Sequence, residues 1–387
     1  MALVTEWLDA WRGGAETSTL QFLHHLRSNG VEVHVFTRSR PSPAPGLAVH
    51  SISGASMSRT RQSMTFAHRV RRKLEAESFD VVHAISPCLG TDIYQPRGGT
   101  VAETIERNLA LRQSPLLRSA KRYANRLNFK QRYLLRMEQR LIGGPDGPVV
   151  VAISDYVLDQ LKRHYALPDH RIRKIYNGVD ADPATAEEKA HDRRTIRQEF
   201  GVADRDLLVL LVAHNFRLKG IQRWMEAQAA LLKKGITDVR AVVLGKGDSE
   251  HWHRLAARLD IAHQLTFAGP SDRVSAFQHA ADVLVHPTYY DPCSRVVLEA
   301  LAAGLPCITT KWDGAAEMIV DGENGYVLDD PADIEGLADR VSHLRNEDHR
   351  KTLGRAAAAS AGRFTMAGHA ADMLALYAQI DRARHSS

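Results

Sequence analysis

Short apolar runs alternate along the chain with amphipathic stretches of helical period. The apolar runs predict nine β-strands, at residues 2–5, 31–37, 81–85, 149–153, 207–213, 241–244, 265–267, 283–286 and 306–310. Helical patterns lie between them, for example at residues 18–28, 66–77, 221–234 and 332–345. Strands that are apolar along their whole length, rather than at alternate positions, are typical of parallel strands buried on both faces. The alternation therefore predicts a doubly wound α/β fold.

Nine strands are more than a single sheet usually contains, and a polar segment divides them into two groups. Residues 177–194 read NGVDADPATAEEKAHDRR, in which Asn-Gly, a proline and charges replace any apolar period. We place an inter-domain linker there. The sequence thus predicts a Rossmann-like N-terminal domain over residues 1–180 and a second one over residues 181–365. A C-terminal helix over residues 366–387 is expected to cross back to the first domain.

Composition narrows the class of protein. The 387 residues are 44% hydrophobic and 25% charged, which is usual for globular domains and excludes disordered and fibrous chains. The three cysteines, Cys88, Cys293 and Cys307, show no CxxC spacing, so we expect no disulfide framework and favour a reducing cytoplasm. The start of the chain shows no secretory pattern, and no stretch approaches about 18 consecutive apolar residues. We therefore expect any membrane contact to be peripheral, at the inner face of the plasma membrane.

The strongest candidate for chemistry is the segment at residues 286–304, HPTYYDPCSRVVLEALAAG. A predicted strand ends at His286, and a helix begins near Ser294. Asp291 precedes this helix, and Glu299 lies inside it, eight residues later. N–H groups at such a helix start can hold phosphate or sugar hydroxyls, and the helix carboxylate could accept both hydroxyls of a ribose. An ordinary capped helix with one solvated glutamate has the same spacing, so the pair alone does not decide.

This segment resembles the E-x7-E region of family 4 glycosyltransferases with the GT-B fold, with Asp291 in place of the first glutamate. The resemblance extends weakly over the N-terminal half and strongly over residues 207–330. It implies two Rossmann-like domains that face an interdomain cleft. It also implies a retaining, metal-independent transfer of a hexose from a nucleoside-diphosphate sugar, with a UDP-sugar favoured. Glu299 would bind the ribose and Asp291 the sugar hydroxyls, and the nucleotide-sugar site would include Cys293, Ser294 and Arg295.

Two further segments resemble parts of the donor site in this family. LVAHNFRLKGI, at residues 211–221, resembles the segment whose lysine holds the donor diphosphate, and Lys219 matches that lysine. Arg217 is the candidate for the family's arginine, although the spacing between the two is shorter here. Such fixed cations stabilise a departing diphosphate without a metal ion. WRGGAE, at residues 11–16, resembles the glycine-rich loop after the first strand, and Gly13 and Gly14 match.

Two small-residue turns complete the resemblance on the donor side. VVLGKGDSE, at residues 242–250, resembles the turn near the nucleotide base, where Gly245 matches. It is not a dinucleotide-binding G-x-G-x-x-G motif, because its third glycine position is Glu250. TKWDGAAEMI, at residues 310–319, resembles a loop whose backbone amides approach the diphosphate. Gly314 and Ala315 would supply that approach.

We expect no metal ion and no other cofactor. Asp180 and Asp182 form a D-x-D pair, but they follow Asn177-Gly178-Val179 and resemble the family's turn at the domain junction. Nineteen histidines occur without HExxH or paired Cys/His spacing. His251 and His253 lie on a predicted surface helix.

The residues that would bind the acceptor are harder to identify from the sequence. His83 ends the FDVVH strand, but Ile85 stands where many family members have a second histidine. GTDIYQPRGGTVAE, at residues 90–103, is the replacement candidate, with Asp92 as a polar group. Its Arg97-Gly98-Gly99 turn could present amides and a guanidinium to a phosphorylated or anionic acceptor, or be a plain loop. The segment resembles the lipopolysaccharide core glucosyltransferase branch of the family, which implies a glycolipid acceptor.

Residues 107–140 hold ten basic side chains and one acidic one. They predict an amphipathic basic helix with Tyr123, Leu127, Leu134, Met137 and Leu141 on one face. Its membrane-facing candidates are Arg122, Arg126, Lys130, Arg132, Arg136 and Arg140. A solvated face and binding to an anionic membrane both fit this pattern; nucleic-acid binding fits poorly because aromatic interleaving is absent. Residues 1–180 carry a net +10 and residues 181–387 a net −4, which favours an anionic, membrane-held acceptor for the first domain.

Two functions of other classes remain open at this point. A GT-B sugar-nucleotide epimerase would carry the same donor motifs, and so would a non-catalytic nucleotide-sugar-binding protein. A Rossmann oxidoreductase is disfavoured by the missing dinucleotide motif. The sequence does not indicate the oligomeric state.

Overall fold

A computed structural model describes residues 1–9, 13–39, 47–52, 59–112, 114–144, 147–247 and 249–385. The chain folds as two compact units. The first unit comprises Met1–Gly178 and Phe364–Ser387, and the second comprises Val179–Arg363. These limits lie two residues from the predicted ones at 180 and 365, and the last helix belongs to the first unit. Among the described residues, no helix has both the length and the apolar character needed to cross a bilayer.

The first unit is built on a seven-stranded sheet in which every strand pair is parallel. Its spatial order is β3-β2-β1-β4-β5-β6-β7. The strands are β1 (Ala2–Val4), β2 (Val33–Thr37), β3 (Leu47–Ser51), β4 (Val82–Ala84), β5 (Ile93–Tyr94), β6 (Val149–Ala152) and β7 (Ile172–Lys174). The helices are α1 (Gly14–Ser28), α2 (Arg59–Leu74), α3 (Val101–Ala110), α4 (Pro115–Leu127), α5 (Phe129–Gly143), α6 (Asp155–Tyr165) and, from the chain's end, α14 (Met366–His385).

The second unit is built on a six-stranded parallel sheet of order β10-β9-β8-β11-β12-β13. Its strands are β8 (Leu207–Val212), β9 (Val239–Leu244), β10 (Leu265–Gly269), β11 (Val283–Val285), β12 (Cys307–Thr310) and β13 (Gly325–Leu328). Its helices are α7 (Ala186–Glu199), α8 (Ile221–Lys233), α9 (Ser249–Arg258), α10 (Val274–Ala280), α11 (Arg295–Ala302), α12 (Ile334–His343) and α13 (Glu347–Ser360). Both sheets have Rossmann-like character, which confirms the predicted doubly wound α/β fold.

The linker prediction at residues 177–194 is wrong in its second half, where helix α7 begins. Thr185 accepts a hydrogen bond from the Glu188 amide, and Glu188 accepts one from the Thr185 amide, which is a capping box. The helix lacks an apolar period because its inner face is charged. Arg193 and Arg197 both contact the buried Asp282 carboxylate, at 2.9 and 3.2 Å. Apart from the buried Ile196, this helix is held by ion pairs, so hydrophobic periodicity did not reveal it.

The single basic helix predicted over residues 107–140 is three helices. Residues 111–114 separate α3 from α4, and Asn128 lies between α4 and α5. The Asn128 side chain accepts a hydrogen bond from the Gln131 amide and so caps the start of α5. Tyr123 and Leu127 therefore lie on α4, whereas Leu134, Met137 and Leu141 lie on α5.

Helix α14 completes the core of the first unit. Met373 is fully buried in the cluster that also holds Phe22 and Leu26 of α1. We predict that Met373→Ala destabilises the first unit by about 2–5 kcal/mol, because the truncation leaves a cavity in a packed core. Urea unfolding would measure this, with the exposed Gln379→Ala on the same helix as a control that changes stability by less than about 0.5 kcal/mol. Equal midpoints for the two variants would contradict the packing described for α14.

Candidate functional site

The second unit gathers the predicted donor residues at one edge of its sheet. β8 and β11 are adjacent and parallel, so the loops that follow them meet at the same edge. Lys219, in the loop after β8, places Nζ 2.5 Å from Asp291 Oδ2 in the loop after β11. The same Nζ donates to the Tyr290 carbonyl at 3.1 Å. His286 Nε2 lies 3.4 Å from Asp291 Oδ2.

This arrangement fixes the charge of Asp291. Burial disfavours its carboxylate, but Lys219 and His286 outweigh that penalty and hold the pKa of Asp291 well below its usual range. Two of the three N–H groups of Lys219 are used by Asp291 and Tyr290, and within the described residues the third has no protein partner. The site therefore presents an ionised carboxylate and an ammonium donor side by side.

Asp313 is a buried carboxylate that sequence reasoning missed. It accepts hydrogen bonds from the Ser294 and Ala315 amides, each at 2.9 Å, and from the Thr309 hydroxyl at 2.9 Å. Burial and the nearby Asp291 charge raise its pKa, although these amides oppose the shift. Asp313 thus ties the start of α11 to the 3-10 turn Gly314–Met318. An aspartate directly before Gly-Ala-Ala is a cap signal that the sequence offered.

The role predicted for Gly314 and Ala315 needs correction. The Gly314 amide donates to the Asp291 carbonyl at 2.9 Å, and the Ala315 amide donates to Asp313. Both residues are buried. These two amides hold the loop together and are not left for a diphosphate.

Helix α11 carries the remaining donor candidates. Glu299 is half-buried, and its Oε1 lies 2.6 Å from Arg295 Nε one turn earlier. Burial raises the pKa of Glu299, and the Arg295 charge opposes that shift. Cys293 and Ser294 are buried, and burial raises the pKa of the Cys293 thiol well above its usual value. The thiol is therefore protonated and has a packing role.

The other donor-side candidates make no hydrogen bond to the Lys219–Asp291 ion pair among the described residues. Arg217 is exposed, and no ion pair to it is found within the described ranges. Gly245 has φ +125°, and a Cβ there would lie 1.7 Å from the Ala213 carbonyl oxygen, so only glycine fits. Gly13 and Gly14 lie at the start of α1 in the first unit, while residues 11 and 12 of their motif lie outside the described residues.

The acceptor-side candidates do not form an open site in the first unit. His83 is fully buried in β4, where its Nδ1 is hydrogen-bonded to the Tyr377 hydroxyl at 2.7 Å. Asp92 accepts a 2.7 Å hydrogen bond from the Val82 amide and pairs with Arg384. Asp92 and Val82 stand at the amino ends of β5 and β4, the edge opposite to where parallel sheets bind ligands. The predicted acceptor roles of His83 and Asp92 are therefore wrong: both hold α14 on the sheet.

Arg97 also has an internal role. Its side chain is only 6% exposed and donates to Gln95, to Ser18 and Thr19 of α1, and to His369 of α14. The guanidinium also lies over the Phe22 ring, 5.3 Å from its centroid. The prediction that it faces an acceptor is wrong, because sequence reasoning could not show which way this turn points. Gly98 and Gly99 do lie towards the surface, and Gly99 has φ +72°.

Metal binding finds no support at the D-x-D pair. Asp182 is held by Lys189 at 2.6 Å and by His279 at 3.0 Å, and Asp180 is exposed. His253 is exposed on α9, as the sequence predicts, and the His251 ring packs against Trp252. Elsewhere in the described part of the chain, two groups have metal-ligand spacing, Glu103 with Glu106 and His164, and His34 with His50 and Glu77.

Comparison with known proteins defines the class. Residues 12–183 match the family model Glycosyltransferase Family 4, and residues 192–360 match the model Glycosyl transferases group 1. The two matches follow the two units. The chain belongs to this glycosyltransferase family, has the GT-B type of fold, and is an enzyme of that class.

Individual relatives narrow the comparison. The chain is 25% identical to lipopolysaccharide glucosyltransferase WaaG of Escherichia coli over 342 residues, which cover 88% of this chain and 86% of WaaG. A crystal structure of WaaG superposes with a TM-score of 0.82 at 22% identity and covers 96% of this chain and 98% of that one. Anabaena HepE, crystallised with UDP and glucose, has a TM-score of 0.70 at 17% identity, with 97% and 98% coverage.

The buried cluster around Arg97 predicts a pH dependence of stability. His369 Nδ1 donates to the Tyr176 carbonyl, and burial next to Arg97 lowers the His369 pKa to about 3 from 6.5. The unfolded chain therefore binds a proton that the folded chain does not, so stability falls as the pH drops from 6.5 towards 3.

We predict that the wild type loses about 2 kcal/mol more than His369→Gln between pH 7.5 and 5, because glutamine does not titrate. Urea unfolding at the two pH values measures this difference. His170→Gln, a change at an exposed histidine of the same unit, serves as the control and should follow the wild type. Parallel losses in the wild type and His369→Gln would contradict a neutral, buried His369.

Proposed function

We propose that the chain is a retaining, metal-independent hexosyltransferase. It transfers a hexose from a nucleoside-diphosphate sugar, with UDP favoured as the carrier, to a glycan or glycolipid acceptor. The observation that carries the proposal is the meeting of Lys219 and Asp291 at the carboxyl ends of adjacent parallel strands, next to α11. WaaG is named a lipopolysaccharide glucosyltransferase, and HepE was crystallised with UDP and glucose, which supports both the donor and the acceptor class.

The cation matters because sugar transfer leaves negative charge on the departing diphosphate. Lys219 is held by Asp291 and the Tyr290 carbonyl, so its charge is in place before the reaction and needs no reorganisation. Arg217 is exposed on the same loop, two residues before Lys219, and would add a second cation. A pair of cations meets this demand without a metal ion.

The two carboxylates bind rather than react. Asp291 Oδ2 is engaged by Lys219, while Oδ1 accepts a 3.3 Å hydrogen bond from the Cys293 amide. An ion-paired carboxylate is a weak nucleophile, so we assign Asp291 to the sugar hydroxyls. Glu299, oriented by Arg295, accepts the ribose hydroxyls. Retention follows from the family resemblance, and no side chain is assigned as a covalent nucleophile.

We predict that Lys219→Ala and Glu299→Ala each reduce UDP release from UDP-glucose by about 100-fold or more, because each removes a charge that the donor requires. Lys351→Ala, a change at an exposed lysine of the same unit, is the control and should retain the wild-type rate. The assay is run across UDP-, GDP- and ADP-sugars, with and without EDTA. Near-normal rates in either site variant would refute the donor site, and inhibition by EDTA that Mg²⁺ or Mn²⁺ reverses would refute metal independence.

The acceptor side of the proposal rests on helices α4 and α5. Six large apolar side chains are exposed among the described residues, and five lie here: Leu116, Leu117, Tyr123, Leu127 and Phe129. Leu116, Tyr123 and Leu127 are spaced i, i+7 and i+11, so they form one stripe along α4. Exposed cations accompany them, namely Arg118, Arg122, Lys130, Arg132, Arg136 and Arg140. The side chain of Arg126 lies outside the described residues.

This α4–α5 surface suits a membrane that carries an anionic glycolipid. An amphipathic helix with an apolar stripe and flanking cations lies in the headgroup region, where apolar burial and attraction to anionic lipids act together. Leu116 is 82% exposed and Leu127 is 67% exposed, which is costly for a surface that contacts only water. We infer that the surface docks peripherally on the membrane that holds the acceptor.

We predict that Arg132→Gln, Arg136→Gln and Arg140→Gln together weaken binding to anionic vesicles about 100-fold, since each cation contributes about 1 kcal/mol near such a surface. Leu116→Ser with Leu127→Ser should weaken binding to the same vesicles, whereas Val320→Ser, at an exposed apolar residue of the other unit, should not. Vesicle co-sedimentation measures both. Equal binding of the wild type to neutral and anionic vesicles would leave the surface without this function.

A further inference from the structure

A second candidate site lies in the first unit, near the edge of its sheet. β2 and β3 are parallel neighbours in which Phe36 pairs with His50 and His34 pairs with Ala48. Alternate residues of a strand face the same side, so His34 and His50 project from the same face of the sheet. The connection after α2 brings Glu77 to them, and the ligand atoms of the three side chains all lie within 4.8 Å of one another.

The two imidazoles meet edge to edge at their nitrogens. His34 Nδ1 lies 3.0 Å from His50 Nε2. Two nitrogens bound to one tetrahedral zinc ion at normal bond lengths stand about 3.3 Å apart, close to the separation here, and the rings would turn so that both lone pairs converge on the ion. Two histidine nitrogens and one carboxylate oxygen form a zinc ligand set that leaves a fourth position for water.

The surroundings orient these rings as metal ligands require. His34 Nε2 lies 3.2 Å from Glu32 Oε1, so the Nε2 proton is held there and Nδ1 keeps its lone pair towards His50. His50 stacks on Phe36, with ring centroids 4.4 Å apart and planes 8° from parallel. Phe79 packs edge-on against His34, with centroids 5.2 Å apart. Glu32, Phe36 and Phe79 therefore hold the two imidazoles in position. The facing nitrogens are hydrogen-bonded to each other, so a bound ion would displace the proton that His50 Nε2 donates to His34 Nδ1.

The other group with metal-ligand spacing differs in this respect. Glu103 is fully buried and already bonded to Arg107, Arg163, His164 and Tyr156. Its charge is neutralised by the protein, so a cation would have to displace arginines. Glu77, in contrast, is exposed, and no ion pair or hydrogen bond to its side chain is found within the described residues.

We propose that His34, His50 and Glu77 bind one divalent transition-metal ion, with Zn²⁺ favoured by the imidazole and carboxylate ligands. The ion would join β2, the edge strand β3 and the connection after α2, with its fourth position open to water. It belongs to the first unit and is independent of the metal-free transfer proposed for the second.

The test uses the full-length protein, stripped of metal and titrated with Zn²⁺ against a chromophoric chelator. The wild type should bind one Zn²⁺ that His34→Gln/His50→Gln binds at least 100-fold more weakly. Because the chain has 19 histidines, His24→Gln/His25→Gln, at a neighbouring pair on α1, is the matched control and should keep the site. Mg²⁺ should not compete.

Two further measurements keep the outcome clear. Circular dichroism of the metal-free proteins checks that the double variant is folded; if it is not, Glu77→Gln replaces it, with an expected loss of about tenfold. Zn²⁺ should also raise the melting temperature of the wild type and of the α1 control, but not of the site variant. Equal Zn²⁺ affinity in the wild type and the site variant, or no stoichiometric binding at all, overturns the proposal.

Discussion

β8 and β11 lie side by side and run parallel, and the candidate donor site depends on that pairing. Lys219 and Asp291 are 72 residues apart in the chain, yet the carboxyl ends of the two strands bring Nζ and Oδ2 to 2.5 Å. The glycine at position 220 allows the approach, because a Cβ there would lie 2.0 Å from the Pro287 carbonyl oxygen. The loops after β11 and β12 are then joined by the Asp291 and Asp313 hydrogen bonds. Strand pairing thus brings the cation, the carboxylate and the helix start together, and the Asp291 and Asp313 side chains fix them there.

The two units use buried charge differently. In the second unit, Asp291 pairs with a lysine that has one N–H without a partner among the described residues, so the network can still accept a ligand. In the first unit, Arg97 and His369 have their partners inside the core, between α1 and α14. A buried guanidinium is costly unless its donors are bonded, and here they are divided among several acceptors. The Lys219–Asp291 network stays available for chemistry, whereas the Arg97–His369 network holds the terminal helix against the sheet.

The sequence could predict whatever depends on local apolar patterning. All nine predicted strands exist, because central strands of a parallel sheet are apolar throughout. The missed strands β3, β7 and β13 lie at sheet edges and β5 has only two residues, so none of them carries the long apolar run that marks a central strand. Helix α7 was missed because its inner face is held by ion pairs to Asp282. Lys219, Asp291 and Glu299 were found because a motif marks them.

The sequence pattern could not predict the direction in which polar side chains point. Arg97, His83 and Asp92 were chosen as polar residues near a strand end, and the sequence does not say whether such groups face solvent or a returning helix. The partners that decide the matter, Tyr377 and Arg384, lie almost 300 residues later. His34 and His50 were overlooked for the same reason, since their proximity arises from strand register and not from spacing along the chain.

The charge division between the two halves has a physical consequence once the helices are placed. The net +10 of residues 1–180 includes an excess of nine on residues 107–140, which span the end of α3, all of α4 and most of α5. Clustered cations alone would repel one another, and they would not explain why leucines are exposed beside them. α4 instead exposes its apolar stripe while its cations stand beside it, and neither feature contributes to the core of the first unit. Both become favourable together only against a phase that is apolar inside and anionic at its surface.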